Sequence, residues 1–228
     1  MVNGGMGLNK KSQRIFAGIL AVLVSLAMVG SAFIGYFFDQ TPSANPANNA
    51  TANLEAKYQS QKASIAAMVE QEKSTPENIS LLTALGNEYY NAGMTAQMVA
   101  PTEVQDNFKK AVEVYQKVLQ TNKDPNIIVD MATSAFYSGD YELAEKSYTE
   151  ALTIKPDFMT AMINYGIFLS QAKQDWTGAI NYWQKALPLA QNSTDKEQIE
   201  AMISQAQSQL STNQTNDGLS NPNLKNGE

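Results

Sequence analysis

The chain has 228 residues, with 16 Lys+Arg against 22 Asp+Glu for a net charge of −6, and it contains neither His nor Cys. Without those two residue types it lacks the commonest general base, the thiol nucleophile and the soft metal ligands, so the sequence reads as a non-enzyme with no cofactor, no metal and no disulfide. The acidic balance also argues against nucleic acid as a partner.

In chain order, residues 1–14 form a short polar head with glycines at Gly4, Gly5 and Gly7 and three basic residues, Lys10, Lys11 and Arg14. Ile15 to Phe38 follows, 24 residues without a charge. At 1.5 Å rise per residue that run exceeds a hydrocarbon core of about 30 Å, which predicts a transmembrane helix over 15–38. The basic residues before it, and the absence of Lys or Arg after it until Lys57, place the N-terminus inside and the remainder outside the cytoplasmic membrane. A cleavable secretory signal is the competing reading, but the apolar part of such signals runs to only about 7–15 residues. Ala27, Ser31 and Gly35 recur every four residues, a face through which two such helices could pair as a homodimer. Beyond the span the chain holds 13 Lys+Arg against 22 Asp+Glu, a net of −9 that mainly serves solubility or, alternatively, attracts basic partners.

Residues 39–53, rich in Pro, Asn, Ala and Thr, read as a flexible stalk. Leu54, Tyr58, Ile65, Met68 and Val69 then trace an interrupted apolar stripe, predicting a leading helix over 54–72. Thr75-Pro76-Glu77 has the form of an N-cap with proline at the first helical position, which would open the first hairpin.

Between Asn126 and Ala190 one pattern appears twice, at a spacing of about 34 residues. Ala132 aligns with Gly166, Asp140-Tyr141 with Asp175-Trp176, Ala144 with Ala179, Tyr148 with Trp183 and Ala151 with Ala186; the second copy has one extra residue near Lys173-Gln174. A small residue, an aromatic four later and a small residue three after that share one helix face. Gly139-Asp140 breaks the first helix so that the second folds back, and Pro156 ends the copy. Pro188 stands in a similar place in the next copy.

These residues resemble the tetratricopeptide repeat family. The unit Pro125 to Asp157 matches through Gly139, Tyr141, Ala144, Tyr148, Ala151 and Pro156, and Phe158 to Gln191 through Tyr165-Gly166, Trp176, Ala179, Trp183 and Ala186. An earlier, degenerate unit has Leu85-Gly86, Tyr89 and Gly93, then Ala111, Tyr115 and Val118, with Met94 to Asp106 inserted between its halves. The resemblance covers roughly residues 76–192 and, behind the transmembrane helix, implies an all-α fold: a short solenoid of about three hairpins (76–124, 125–157 and 158–192) in a domain spanning 54–210. Thr194 and Glu197 form a capping-box pattern for a terminal helix over 195–210, whose apolar side is Ile199, Met202, Ile203 and Ala206. Residues 211–228 read as a disordered tail.

Carboxylate pairs such as Glu142 with Glu145 and Asp195 with Glu197 are ordinary solvated faces. No glycine-rich phosphate loop is present. The resemblance instead implies a concave groove along the first helix of each hairpin, lined here by Asn87, Tyr90, Val129, Thr133, Phe136, Ile163, Ile167 and Ser170. The family's peptide-holding pattern uses Lys, Arg and Asn at such places to grip a terminal carboxylate. None is Lys or Arg here and most are apolar, so an apolar stretch or amphipathic helix is the expected ligand. Two alternatives stand beside this: these residues pack against neighbouring hairpins, or the leading helix fills the groove. The sequence-level reading is a single-pass membrane protein displaying a repeat domain outside the cytoplasmic membrane as an adaptor or chaperone-like assembly factor for protein partners. Its rival is a self-associating surface scaffold; the architecture also resembles accessory factors of cytochrome c maturation.

Overall fold

The structure, a computed structural model, describes residues 46–219. The head, the transmembrane helix expected over 15–38, the start of the stalk and the last nine residues lie outside the described residues. Among the described residues no helix is long and apolar enough to cross a membrane.

Eight α-helices and no strand occur among the described residues: α1 Pro46–Ser74, α2 Ile79–Val99, α3 Val104–Leu119, α4 Pro125–Ser138, α5 Tyr141–Ile154, α6 Met159–Phe168, α7 Trp176–Ala186 and α8 Ser193–Leu219. Each packs on the next in chain order, giving three hairpins (α2 with α3, α4 with α5, α6 with α7) flanked by α1 and α8. The first helices of the second and third hairpins also touch each other. Helix α4 is buried nearly all round. Ile127 and Met131 join a core shared with α1, α2 and α3, while Ile128, Val129, Ala132 and Ala135 join one shared with α5 to α8.

The helix boundaries follow local chemistry. Asp124, Asp140 and Asp175 cap α4, α5 and α7, their carboxylates accepting from the backbone N–H of Asn126, Leu143 and Gly178. Gly139 ends α4 with φ +90°, the left-handed conformation that glycine adopts without strain. The extra residue of the second copy is taken up as a π-helical turn, Leu169–Lys173. The closing bond is the same in both copies: the Asp140 N–H reaches the Ala135 carbonyl at 2.8 Å, and the Asp175 N–H reaches the Leu169 carbonyl at 2.9 Å, across one more residue. Gln174 thereby occupies the position of Gly139 at φ 56°, where a Cβ is unfavourable. Gln174→Gly is expected to stabilise the domain by about 1 kcal/mol and raise its Tm by roughly 3 °C, checked by thermal unfolding.

Several boundaries differ from those expected. Helix α1 starts at Pro46, so residues 46–53 are helix rather than stalk; proline suits a first helical turn, and nothing between Ala47 and Asn53 breaks the helix. Thr75 does not open the first hairpin. Its N–H and hydroxyl both donate back to the Gln71 carbonyl, closing α1, and Asn78 caps α2 instead by accepting from Leu81. The insertion Met94 to Asp106 does not distort the turn: α2 is 21 residues long where α4 has 14, so it adds about two turns of helix followed by a short 3-10 turn, Pro101–Glu103. Asn192 rather than Thr194 caps α8, accepting from the Asp195 N–H at 2.8 Å while its amide donates to the Asp195 carboxylate at 2.9 Å. Helix α8 also continues to Leu219, into the segment expected to be a disordered tail.

The end helices serve as covers. On α1, Tyr58 and Ile65 are buried against α2 and α3; the Tyr58 hydroxyl donates to Glu103 at 3.0 Å and accepts from the Asn107 amide at 2.8 Å. On α8, Ile199 and Ala206 are buried, closing the other end of the apolar stack.

Candidate functional site

The second helix of each hairpin sends one large aromatic across to the first. Tyr115, Tyr148 and Trp183 lie against Gly86, Ala132 and Gly166 respectively, and the fit allows no more than a small residue. A Cβ on Gly86 would stand 2.6 Å from Tyr115 Cε1, and one on Gly166 2.7 Å from Trp183 Cε2. Each aromatic also carries a polar atom that bonds to the first helix. Tyr115 Oη donates to Asn87 Oδ1 at 2.8 Å, and Trp183 Nε1 donates to the Ile163 carbonyl at 3.1 Å. The Thr133 hydroxyl donates its one proton to the Val129 carbonyl at 2.9 Å, so the Tyr148 hydroxyl, 2.9 Å away, is the donor to Thr133. Asn164 Nδ2, at 3.3 Å, supplies the second bond that Thr133 accepts.

The bonds of Thr133 to Tyr148 and Asn164 lie in a notch of about 90 Å³, lined by Tyr90 of α2, Thr133, Phe136 and Tyr137 of α4, Asn164 and Ile167 of α6, and Tyr148 from behind. It therefore opens on the first helices of three successive hairpins. A run of ring contacts fixes its walls. Tyr90 meets Phe108 edge-on at 5.8 Å, Phe108 stacks on Tyr137 at 5.0 Å, Tyr137 meets Phe136 at 4.9 Å, and Phe136 meets Phe168 edge-on at 5.6 Å. Burial pushes the hydroxyls of Tyr90, Tyr137 and Tyr148 above the ordinary tyrosine range, so they stay neutral donors. Beyond the notch, Met94 and Met98 lie four and eight residues after Tyr90 on α2. They are 39% and 57% exposed and extend the apolar strip along the helix that the insertion lengthened.

Of the residues expected to line a groove, Tyr90, Thr133, Phe136 and Ile167 come together in this notch. Asn87 is exposed and held by Tyr115. Ile163 is half-buried against the core. Val129 and Ser170 are corrections: Val129 is 1% exposed inside the core, and Ser170 is 5% exposed with its hydroxyl turned to the Ile167 carbonyl. The packing alternative therefore holds for Val129, and the leading helix contributes no residue to the notch. Tyr137 and Asn164 also line the notch, and Asp130 lies three residues before Thr133 on α4, outside the lining; none of the three is in the expected set. The signal for Asp130 was present, since it is the single charge in the 14 residues of α4, away from either end. Asn164 stands 34 residues later, at the matching place in the next copy.

Residues 127–158 match the family described as tetratricopeptide repeat. Over 123 residues the chain is 27% identical to the photosystem I assembly protein Ycf3 of Acaryochloris marina (strain MBIC 11017), with 46% of this chain and 70% of that protein covered. Among solved structures, MamA is similar with a TM-score of 0.48 and 12% identity over 76% of this chain and 99% of that one. PilW, a type IV pilus biogenesis factor, gives a TM-score of 0.37 and 15% identity over 75% of this chain and 94% of that one.

Proposed function

We propose, from the match of residues 127–158 to the tetratricopeptide repeat and the stack of helical hairpins around it, that this chain is a membrane-anchored adaptor that holds protein partners outside the cytoplasmic membrane while they are assembled. The observation that carries the binding role is the notch on the first helices of all three hairpins, flanked by exposed Met94 and Met98. Its rings and methionines suit an apolar or amphipathic peptide segment. The assembly role is favoured by the similarity to a protein named for photosystem assembly. The anchor and its direction rest on the uncharged run from Ile15 to Phe38 and the basic residues before it.

The test is a photo-crosslinking amino acid placed at Tyr90, or at the exposed Lys146 of α5, in the full chain within its own cells. A defined adduct is expected from position 90 and none from position 146. The double variant Phe136→Asp with Ile167→Asp should remove that adduct while circular dichroism of the purified chain keeps its helical signal. Equal labelling from both positions would refute the reading. So would an adduct that disappears only when helicity does.

A further inference from the structure

Helix α4 presents Asp130, Thr133 and Tyr137 along one face, at spacings of three and four residues, and the second and third of these line the notch. The Asp130 carboxylate is half-buried, and among the described residues it has neither a hydrogen bond nor an ion pair. The groups that feel its charge are the neutral hydroxyls of Tyr90 on α2, Tyr115 on α3 and Tyr148 on α5; the one charge acting on it is another acid, Asp124, at the start of its own helix. No Lys or Arg contributes. Lys117 and Lys123, on and just after the adjoining α3, are paired with Glu72 and Glu150. A carboxylate left alone in a partly desolvated setting is unfavourable, and a cation brought by a ligand relieves that cost.

We propose that Asp130 receives an arginine or lysine side chain of the bound polypeptide, with the aliphatic stem of that residue lying against Tyr90 and Tyr137 in the notch. The proposal rests on the groove reading above and adds the chemistry of the partner. Tyrosine rings suit such a side chain twice over, since their faces attract a cation and their edges bury its methylenes. The net charge of −9 after the apolar run draws basic segments to this surface. At the equivalent place on α6 stands neutral Asn164, so the first helices of the second and third hairpins offer one cation position and not two. That asymmetry sets the register of the peptide: the basic residue by Asp130 and apolar residues toward Phe136 and Ile167.

The experiment selects a random 16-residue peptide display library on the full chain in detergent micelles, using wild type, Asp130→Asn and, as a control for net charge, Glu142→Gln on the exposed start of α5. Recovered peptides are expected to combine apolar residues with one Arg or Lys. Replacing that basic residue by Gln should weaken binding at least tenfold on wild type and on Glu142→Gln, and less than twofold on Asp130→Asn. Equal weakening on Asp130→Asn, or recovered peptides that need no basic residue, overturns the cation site and leaves the groove reading standing. Peptides indifferent to Phe136→Asp with Ile167→Asp, or no recovered peptides at all, overturn both. Sedimentation of the wild-type sample supplies the remaining outcome: an oligomer that Asp130→Asn dissociates would seat a second copy in the notch and refute a separate partner.

Discussion

Tyr148→Ala is expected to destabilise the domain by about 4 kcal/mol, a large part of the total stability of an ordinary domain. Tyr148 is fully buried between α4 and α6, with Ala132, Ala144 and Ala151 packed in the same core. Its ring stacks on Tyr165 at 5.5 Å and lies 6.0 Å from Phe168, so truncation leaves a cavity where two hairpins meet. Small neighbours cannot grow to fill it, and rigid helices close over a gap poorly. A shift in Tm of roughly 12 °C should follow in thermal unfolding of the full chain. Tyr148→Phe is the informative companion. It removes only the hydroxyl that donates to Thr133, which keeps its bonds to Val129 and Asn164, so the loss should be about 1 kcal/mol. Two variants of equal cost would mean that the hydrogen bond, and not the packing, holds the hairpins together.

That residue also shows what the sequence could tell. Repeating small and aromatic residues on one helix face state which side chains meet, because packing of this kind is set by period and volume. Tyr148 opposite Trp183 and Ala132 opposite Gly166 could be paired from the chain alone. The turn at Gly139 was legible for the same reason, since only a left-handed residue lets α5 return along α4. The helix starts were harder. Thr75 and Thr194 look like caps, yet neighbouring Asn78 and Asn192 take that role, because several residues near a helix start can accept the same free N–H. The groove lining was half legible. Val129 and Thr133 lie on nearly the same side of α4, and which of them reaches solvent depends on how closely α2 and α6 approach, a distance the sequence does not encode locally. The π turn at Leu169–Lys173 shifts the end of that face by one further residue, and Ser170 goes inward as a result.

Asp130→Asn is expected to stabilise the free protein at neutral pH, by about 2 kcal/mol or roughly 6 °C. Burial, and secondarily the negative charge of Asp124, raise the Asp130 carboxyl from 3.8 to about 6. Between those two values the folded state holds a proton that the unfolded chain releases, so this group makes the fold more stable in acid and less stable as pH rises. Its contribution is fully favourable below about pH 4 and is lost as the pH climbs through about 6. Glu103 behaves in the opposite sense. Its hydrogen bonds from Lys62 and Tyr58 lower its carboxyl, which adds stability that disappears in strong acid. Wild type and variant share that dependence, so it cancels in their difference. The stability gap between them, measured by denaturant unfolding from pH 3.5 to 7.5, should start near zero, open between about pH 4 and 6, and then stay level. A gap of constant size at every pH would show that the carboxylate is not the source. If the gap opens as described, Asp130 is a residue that weakens the fold it belongs to. A bound cation would keep Asp130 ionised, so the affinity of a basic peptide should fall as the pH drops below about 6 while that of its glutamine counterpart does not.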